Sequence, residues 1–229
     1  MDQEKMALLS QIIAEHIHSA KPVASQLIVD KYGLKMSSAT IRNRMAELEE
    51  EGYLTHPYTS GGRIPTIKGY DFYIKNLLEI KKISSKEKQV LEKIKTDFQD
   101  QREILKNLAK GLAEFSQGLV FIAFKPLDFY YTGVANLFSQ VEFREYNLVC
   151  NLSEVIDHFD EVLENIFDQV TEQPQILIGN QNPFGEACGT IITKYNFNCN
   201  DSLLGILGPM RMDYGKNLGL IKYIQELIK

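Results

Sequence analysis

Cysteine is scarce in this chain: Cys150, Cys188 and Cys199 are all there are, and no two stand in CxxC spacing. An odd, scattered set suits neither a zinc site nor a disulfide framework and points to buried thiols in a reducing compartment. Histidine adds no metal case. His16 and His18 lie two apart on a helical stretch and so face different sides, while His56 and His158 stand alone. Neither a metal nor any other cofactor is expected. Long apolar runs are missing as well. The nearest, such as residues 119–124, fall far short of the ~18 residues that cross a bilayer. Asp2, Glu4 and Lys5 precede any apolar stretch, unlike the basic-then-apolar order of a secretory signal. These absences predict a soluble, cytoplasmic protein. Catalytic signatures are lacking too: there is no P-loop, no GxSxG, no HExxH, and residues 205–208 do not make a GxGxxG turn. No enzyme is expected.

What is present describes an ordinary folded chain. At 229 residues, 44% hydrophobic and 24% charged, with eleven Tyr and twelve Phe, it can bury two cores without staples. The net charge of −5 is unevenly spread. Residues 1–82 hold eleven basic and ten acidic side chains, a net of +1, and the remainder fourteen and twenty, a net of −6. An N-terminal part that binds nucleic acid would therefore rely on a few well-placed cations and on dimerisation.

The first part reads as three helices and a hairpin. Met6, Leu9, Ile13 and Ile17 form a stripe at helical spacing. After Lys21-Pro22, Leu27, Ile28 and Tyr32 mark a short second helix ended by Gly33. Ser37-Ser38 then cap a third, in which Ile41, Met45 and Leu48 share the inward face. The outward surface near its start carries Ala39, Thr40, Arg42 and Asn43. Small residues permit close approach, Asn can bond an adenine edge, Arg a guanine edge, and a helix N-terminus favours phosphate. Glu49, Glu50 and Glu51 sit at the far end, where they would repel phosphate if the helix lay flat. Two short strands, residues 53–56 and 63–66, flank a loop with Tyr58, Thr59, Ser60, Gly61 and Gly62. Hydroxyls, two glycines and the cation Arg63 suit backbone phosphates or the minor groove. By themselves these pieces equally describe a plain tri-helical core with a tight turn, and Arg42, Arg44 and Arg63 would then be surface charges.

The run SSATIRNRMAELEEEGYL, residues 37–54, followed by YTSGGRIPTIKGYDFY, residues 58–73, resembles the signature of the bacterial heat-inducible transcription repressor family, HrcA. IGNQNPF, residues 178–184, and GPMRMDY, residues 208–214, are similar to the same family's C-terminal motifs. The resemblance implies a dimeric repressor of chaperone operons that binds an inverted-repeat operator in double-stranded DNA and is kept active by the chaperonin GroEL. It places Ser38, Thr40, Arg42 and Asn43 on a recognition helix, with Arg44 beside them, and Thr59, Ser60 and Arg63 on a wing. Arg44 stands where the family commonly has an acid, and Gly61 where it commonly has Ala.

Polar residues 81–85 mark a boundary, so the expected organisation is a winged helix-turn-helix over 1–82, a linker and long amphipathic helix over 83–118, and an α+β domain over 119–229. Leu91, Ile94, Phe98, Gln101, Leu105, Leu108, Leu112 and Phe115 repeat at alternating steps of three and four, a heptad seam that fits either a dimer helix or one packed on its own domain. Beyond it, strands are predicted at 119–124, 130–135, 144–150, 175–178, 190–195 and 203–207, and helices at 155–170 and 217–228. Asp157, Asp160, Glu161 and Glu164 read as a solvated acidic face, and Arg211 and Asp213 as a pair orienting the last helix. The resemblance implies that the C-terminal sheet is GAF-like. It also implies a domain inserted into it in most relatives, for which this chain is too short. Two other readings stay open: a winged-helix module that docks a protein, motivated by the weak +1 balance, and a sheet domain that senses a small ligand.

Overall fold

A computed structural model describes residues 1–57, 61–125, 127–197 and 200–228. The chain divides into two compact units, Met1–Leu78 and Glu79–Lys229.

In the first unit, α1 (Gln3–Ser19) starts where the Asp2 carboxylate accepts the Lys5 amide, at 2.7 Å. It stops at Ala20, which takes a left-handed conformation. Leu9 and Ile13 of the expected stripe are buried, but Met6 and Ile17 are only half-buried; Leu8 and Ile12 complete the inward face. α2 (Ser25–Tyr32) ends at Gly33, whose φ of 60° is the left-handed cap that glycine adopts cheaply. α3 (Ser38–Glu50) begins at Ser37, whose hydroxyl accepts the Thr40 amide, and it buries Ile41, Met45 and Leu48 as expected. Two strands of only two residues each follow, β1 (Leu54–Thr55) and β2 (Ile64–Pro65), antiparallel with Leu54 opposite Pro65. Helix α4 (Ile67–Asn76) is capped by Thr66 and tied to α1 by His16 Nδ1 and the Tyr70 hydroxyl, 2.7 Å apart.

The second unit is α+β. The predicted helix over 86–117 is two helices, α5 (Ser85–Asp97) and α6 (Gln101–Ser116). Phe98 is extended between them and Asp100 caps the second, accepting the Glu103 amide at 2.9 Å. α6 folds back on α5, and Gly111 makes room for the approach: a Cβ there would stand 3.2 Å from Leu91 Cδ2 and 3.4 Å from Ile94 Cδ1. Leu91, Leu105, Leu108 and Leu112 are buried inside the unit, so the heptad seam closes on its own chain. The periodicity holds, but Asp100 caps a new helix within it and interrupts the continuity.

The sheet has five antiparallel strands in the order β4, β3, β7, β6, β5: β3 (Leu119–Lys125), β4 (Asp128–Thr132), β5 (Gln175–Ile178), β6 (Cys188–Phe197) and β7 (Asn200–Pro209). Between β4 and β5 run α7 (Val134–Phe138), a 3-10 turn (Val141–Arg144), α8 (Tyr146–Asp157) and α9 (Phe159–Ile166). Leu119, Phe121 and Ala123 of β3 pack with Leu137, Leu152, Phe159 and Leu163 from that helical layer. The opposite face is covered by α6 and by α10 (Tyr214–Leu227). Covering on both faces explains why residues 119–124 are apolar without alternation.

One predicted strand is wrong: residues 144–150 run from the end of the 3-10 turn into α8 instead. Leu148, Leu152, Val155 and Ile156 recur at helical spacing against the core, and this outweighs the short apolar run at 148–150. The Arg211–Asp213 expectation also divides. Asp213 caps α10 by accepting the Lys216 amide at 3.0 Å and pairs with Lys81, whereas Arg211 reaches across to Glu142 and Gln140. No helix is long and apolar enough to cross a membrane, and no cluster of His, Cys, Asp and Glu that could hold a metal occurs, among the described residues.

Candidate nucleic-acid interface

The start of α3 is held rigidly and presented outward. Ser37 does two things there: its hydroxyl caps the helix and lies 2.9 Å from the Thr40 hydroxyl, fixing that side chain's direction. Ser38 is half-buried because its hydroxyl meets that of Ser25, at 3.0 Å, which joins the first residue of α2 to the first residue of α3. Ala39, Thr40, Arg42 and Asn43 are exposed, and Arg42 and Asn43 have no hydrogen-bond or ion-pair partner among the described residues. They supply one cation and one amide with free valence, on a helix whose inward face is locked in the core.

Arg44 stands apart from this group. It is turned to α1 and paired with Glu4, leaving it half-buried. Arg42 faces the other way, into a cleft of about 390 Å³ that it lines with Ala24, Ser25, His56, Gly61 and Gly62. The cleft therefore lies between the tip of α3, the start of α2 and the hairpin. Thr59 and Ser60, with Tyr58, fall outside the described residues.

Arg63 is not at the hairpin tip as a free cation. It is 9% exposed, exchanges both backbone hydrogen bonds with Val23 at 2.8 and 3.0 Å, and directs its Nε to Glu49 Oε2 at 3.0 Å. The other Glu49 oxygen is bonded to His56 Nδ1. Burial acts to raise the Glu49 pKa, but the bonds from His56 and Arg63 outweigh it and hold the carboxyl below its usual range. The acidic end of α3 is thus partly neutralised from within, since Glu47 and Glu51 both hold Lys5, at 2.8 and 2.7 Å. Nothing in the sequence signalled these pairings, because Glu49 meets partners seven and fourteen positions away across a turn.

A small helical head with a two-stranded hairpin, exposing a polar helix tip, and an α+β body with a five-stranded antiparallel sheet define a two-unit protein of the kind in which one unit presents a surface and the other is a separate folded body. The chain belongs to the HrcA family: the family model described as HrcA protein C terminal domain matches residues 35–218. The heat-inducible transcription repressor HrcA of Cutibacterium acnes is 36% identical over 124 residues, 54% of this chain and 37% of that protein. That of Carboxydothermus hydrogenoformans is 24% identical over an alignment of 336 positions that takes in 100% of this chain and 98% of that protein. More than a hundred positions of the latter alignment therefore have no counterpart among the 229 residues here. In several of these relatives the match spans little more than a third of their length, 37% or 38%. A crystal structure of a hypothetical protein shares the fold, with a TM-score of 0.74 at 19% identity, over 100% of this chain and 97% of that one.

Proposed function

We propose that this chain is a DNA-binding transcription repressor acting on heat-shock chaperone operons, a cytoplasmic protein that binds an inverted-repeat operator as a homodimer. In this reading residues 1–82 form a winged helix-turn-helix, 83–118 a helical linker and 119–229 a GAF-like sheet domain. The observation that carries the reading is the exposed tip of α3, where Arg42 and Asn43 are free of partners beside a hydroxyl oriented by Ser37. Family membership supports the rest: proteins named heat-inducible transcription repressor HrcA match the chain, one of them along its whole length.

Arg42 and Asn43 read base edges, Ser38 and Thr40 lie at the helix start where phosphate is favoured, and the hairpin with Thr59 and Ser60 holds the backbone. Arg63 positions that hairpin where β2 meets the loop, and Arg44 supports the helix through Glu4. GroEL as the partner that keeps the repressor active rests on family membership alone. Titration of DNA binding against salt tests the function. A repressor of this kind loses affinity steeply as salt rises, by counterion release, and a flat response would instead mark a protein-docking module.

A further inference from the structure

We propose that Glu49 is the positioning residue that latches the hairpin to the DNA-facing helix, so that an acid close to the nucleic acid strengthens binding. The inference rests on the DNA-binding reading above. Its starting point is the shortness of the hairpin's own ladder. At the end away from the loop the Thr66 amide bonds the Tyr53 carbonyl, at 3.1 Å, and Leu54 is buried, but among the described residues the loop end has no such tie within the ladder. The ladder has two residue pairs, and in one of them Pro65 has no N–H to give. A two-stranded hairpin of that length does not hold itself in water.

The Glu49 carboxylate supplies what the ladder lacks. Glu49 lies in the last turn of α3, and its two oxygens go to the two strands separately. One takes His56, the residue that follows β1; the other takes Arg63, the residue that precedes β2. A single side chain thus clamps both places where the hairpin opens into its loop. Arg63 extends the clamp to α2, since its backbone exchanges two hydrogen bonds with Val23. Gly62 lets the strands approach that closely, as a Cβ there would run into the Val23 carbonyl. The seating of His56 and Arg63 relative to Arg42 and Asn43 is therefore set from the opposite end of α3, through the carboxylate.

Simple electrostatics and the latch make opposite forecasts, which makes the idea testable. Removing a negative charge near DNA should tighten binding to any sequence. Removing the latch should weaken it. Glu50 provides the control: it is exposed on the same turn and has no hydrogen-bond or ion-pair partner among the described residues. The experiment compares wild type, E49Q and E50Q, each as the full chain, for affinity to a random-sequence DNA duplex at low salt. Amide hydrogen exchange at Val23 and Arg63 is followed in the same proteins without DNA. The latch predicts that E49Q binds about tenfold more weakly, in keeping with the loss of bonds to charged groups, while E50Q binds equally or more tightly. It also predicts faster exchange at both amides in E49Q alone. Equal or tighter binding by E49Q with unchanged exchange overturns the latch. If wild type itself fails to bind DNA, the function proposed above falls, and the exchange measurement still decides for or against the latch.

Discussion

Phe121 of β3 lies directly opposite Gly205 of β7, and its ring fills the space that a side chain at position 205 would need. The pair sits at the middle of the sheet, where the same ring also meets Phe159 edge-on, with centroids 5.2 Å apart, and Phe184 at 5.3 Å. A small residue opposite a large one lets an aromatic lie flat on its neighbour strand without leaving a void. Gly205→Ala should therefore force the ring aside and destabilise the sheet unit by about 1–3 kcal/mol. Chemical denaturation followed by tyrosine fluorescence checks this, and an unchanged midpoint would show that the aromatic cluster yields freely.

In the first unit, Glu15 is the buried acid to watch. Its carboxylate is 6% exposed and is held by Lys31 at 2.8 Å and the Tyr32 hydroxyl at 2.9 Å. Burial works to raise its pKa, but the two bonds prevail and lower it below the usual 4.5. A lowered folded value means that Glu15 contributes stability above about pH 4.5, and that this is lost as pH falls through the folded value. Tyr32 behaves in the opposite sense. Burial first and the hydrogen bond to Glu15 second push it up to about 12, so its contribution is complete below pH 10 and fades as pH rises towards 12. Glu15→Gln should flatten the acid limb of a stability-against-pH curve for this unit. A variant curve that parallels wild type through the acid range would count against the assignment.

Base reading by α3 can be separated from backbone holding by mutation. Asn43→Ala and Arg42→Ala should each cost about 1–3 kcal/mol on a preferred operator and much less on sequences altered at one particular base pair. Competition gel shifts on a panel of single-base operator variants make the comparison. Uniform losses across the panel would mean that these side chains touch only phosphates.

Gly62 tests the seat of the hairpin without altering charge. Because a Cβ at that position meets the Val23 backbone, Gly62→Ala should push the strand carrying Arg63 away from the start of α2. Expected outcomes are a several-fold loss of DNA affinity and a thermal midpoint only a few degrees lower, as the helical core of Ile13, Ile28, Met45 and Leu48 is untouched. Midpoint and affinity falling together to the level of an unfolded variant would locate the glycine's role in folding instead.

Particular residues show where one-dimensional reading succeeds. Ser37, Gly33 and Gly52 punctuate the first unit, and the caps and the left-handed turns at Gly33 and Gly52 lie where those residue types predict them. Ile41, Met45 and Leu48 turn inward and Arg42 and Asn43 outward, because a helix of known period with one apolar stripe has no freedom left in its orientation. The seam from Leu91 to Leu112 was legible as a stripe, yet what it faces was not. A stripe specifies that burial must occur and leaves the partner open, and here the extended residue Phe98 and the Asp100 cap supplied that partner from the same chain.

Local propensity, periodicity and capping chemistry thus sufficed to determine the first three helices of the first unit (though not α4), the exposed polar tip of α3 and the α+β character of the second. Their physical basis lies within four or five residues of each position. Tertiary structure alone decided that Arg63 is buried on Glu49, that Arg44 belongs to Glu4, and that Phe121 covers Gly205. Each of these joins residues from separate elements, and the interaction of a charge or a ring with a partner depends on distance in space, which spacing along the chain does not encode.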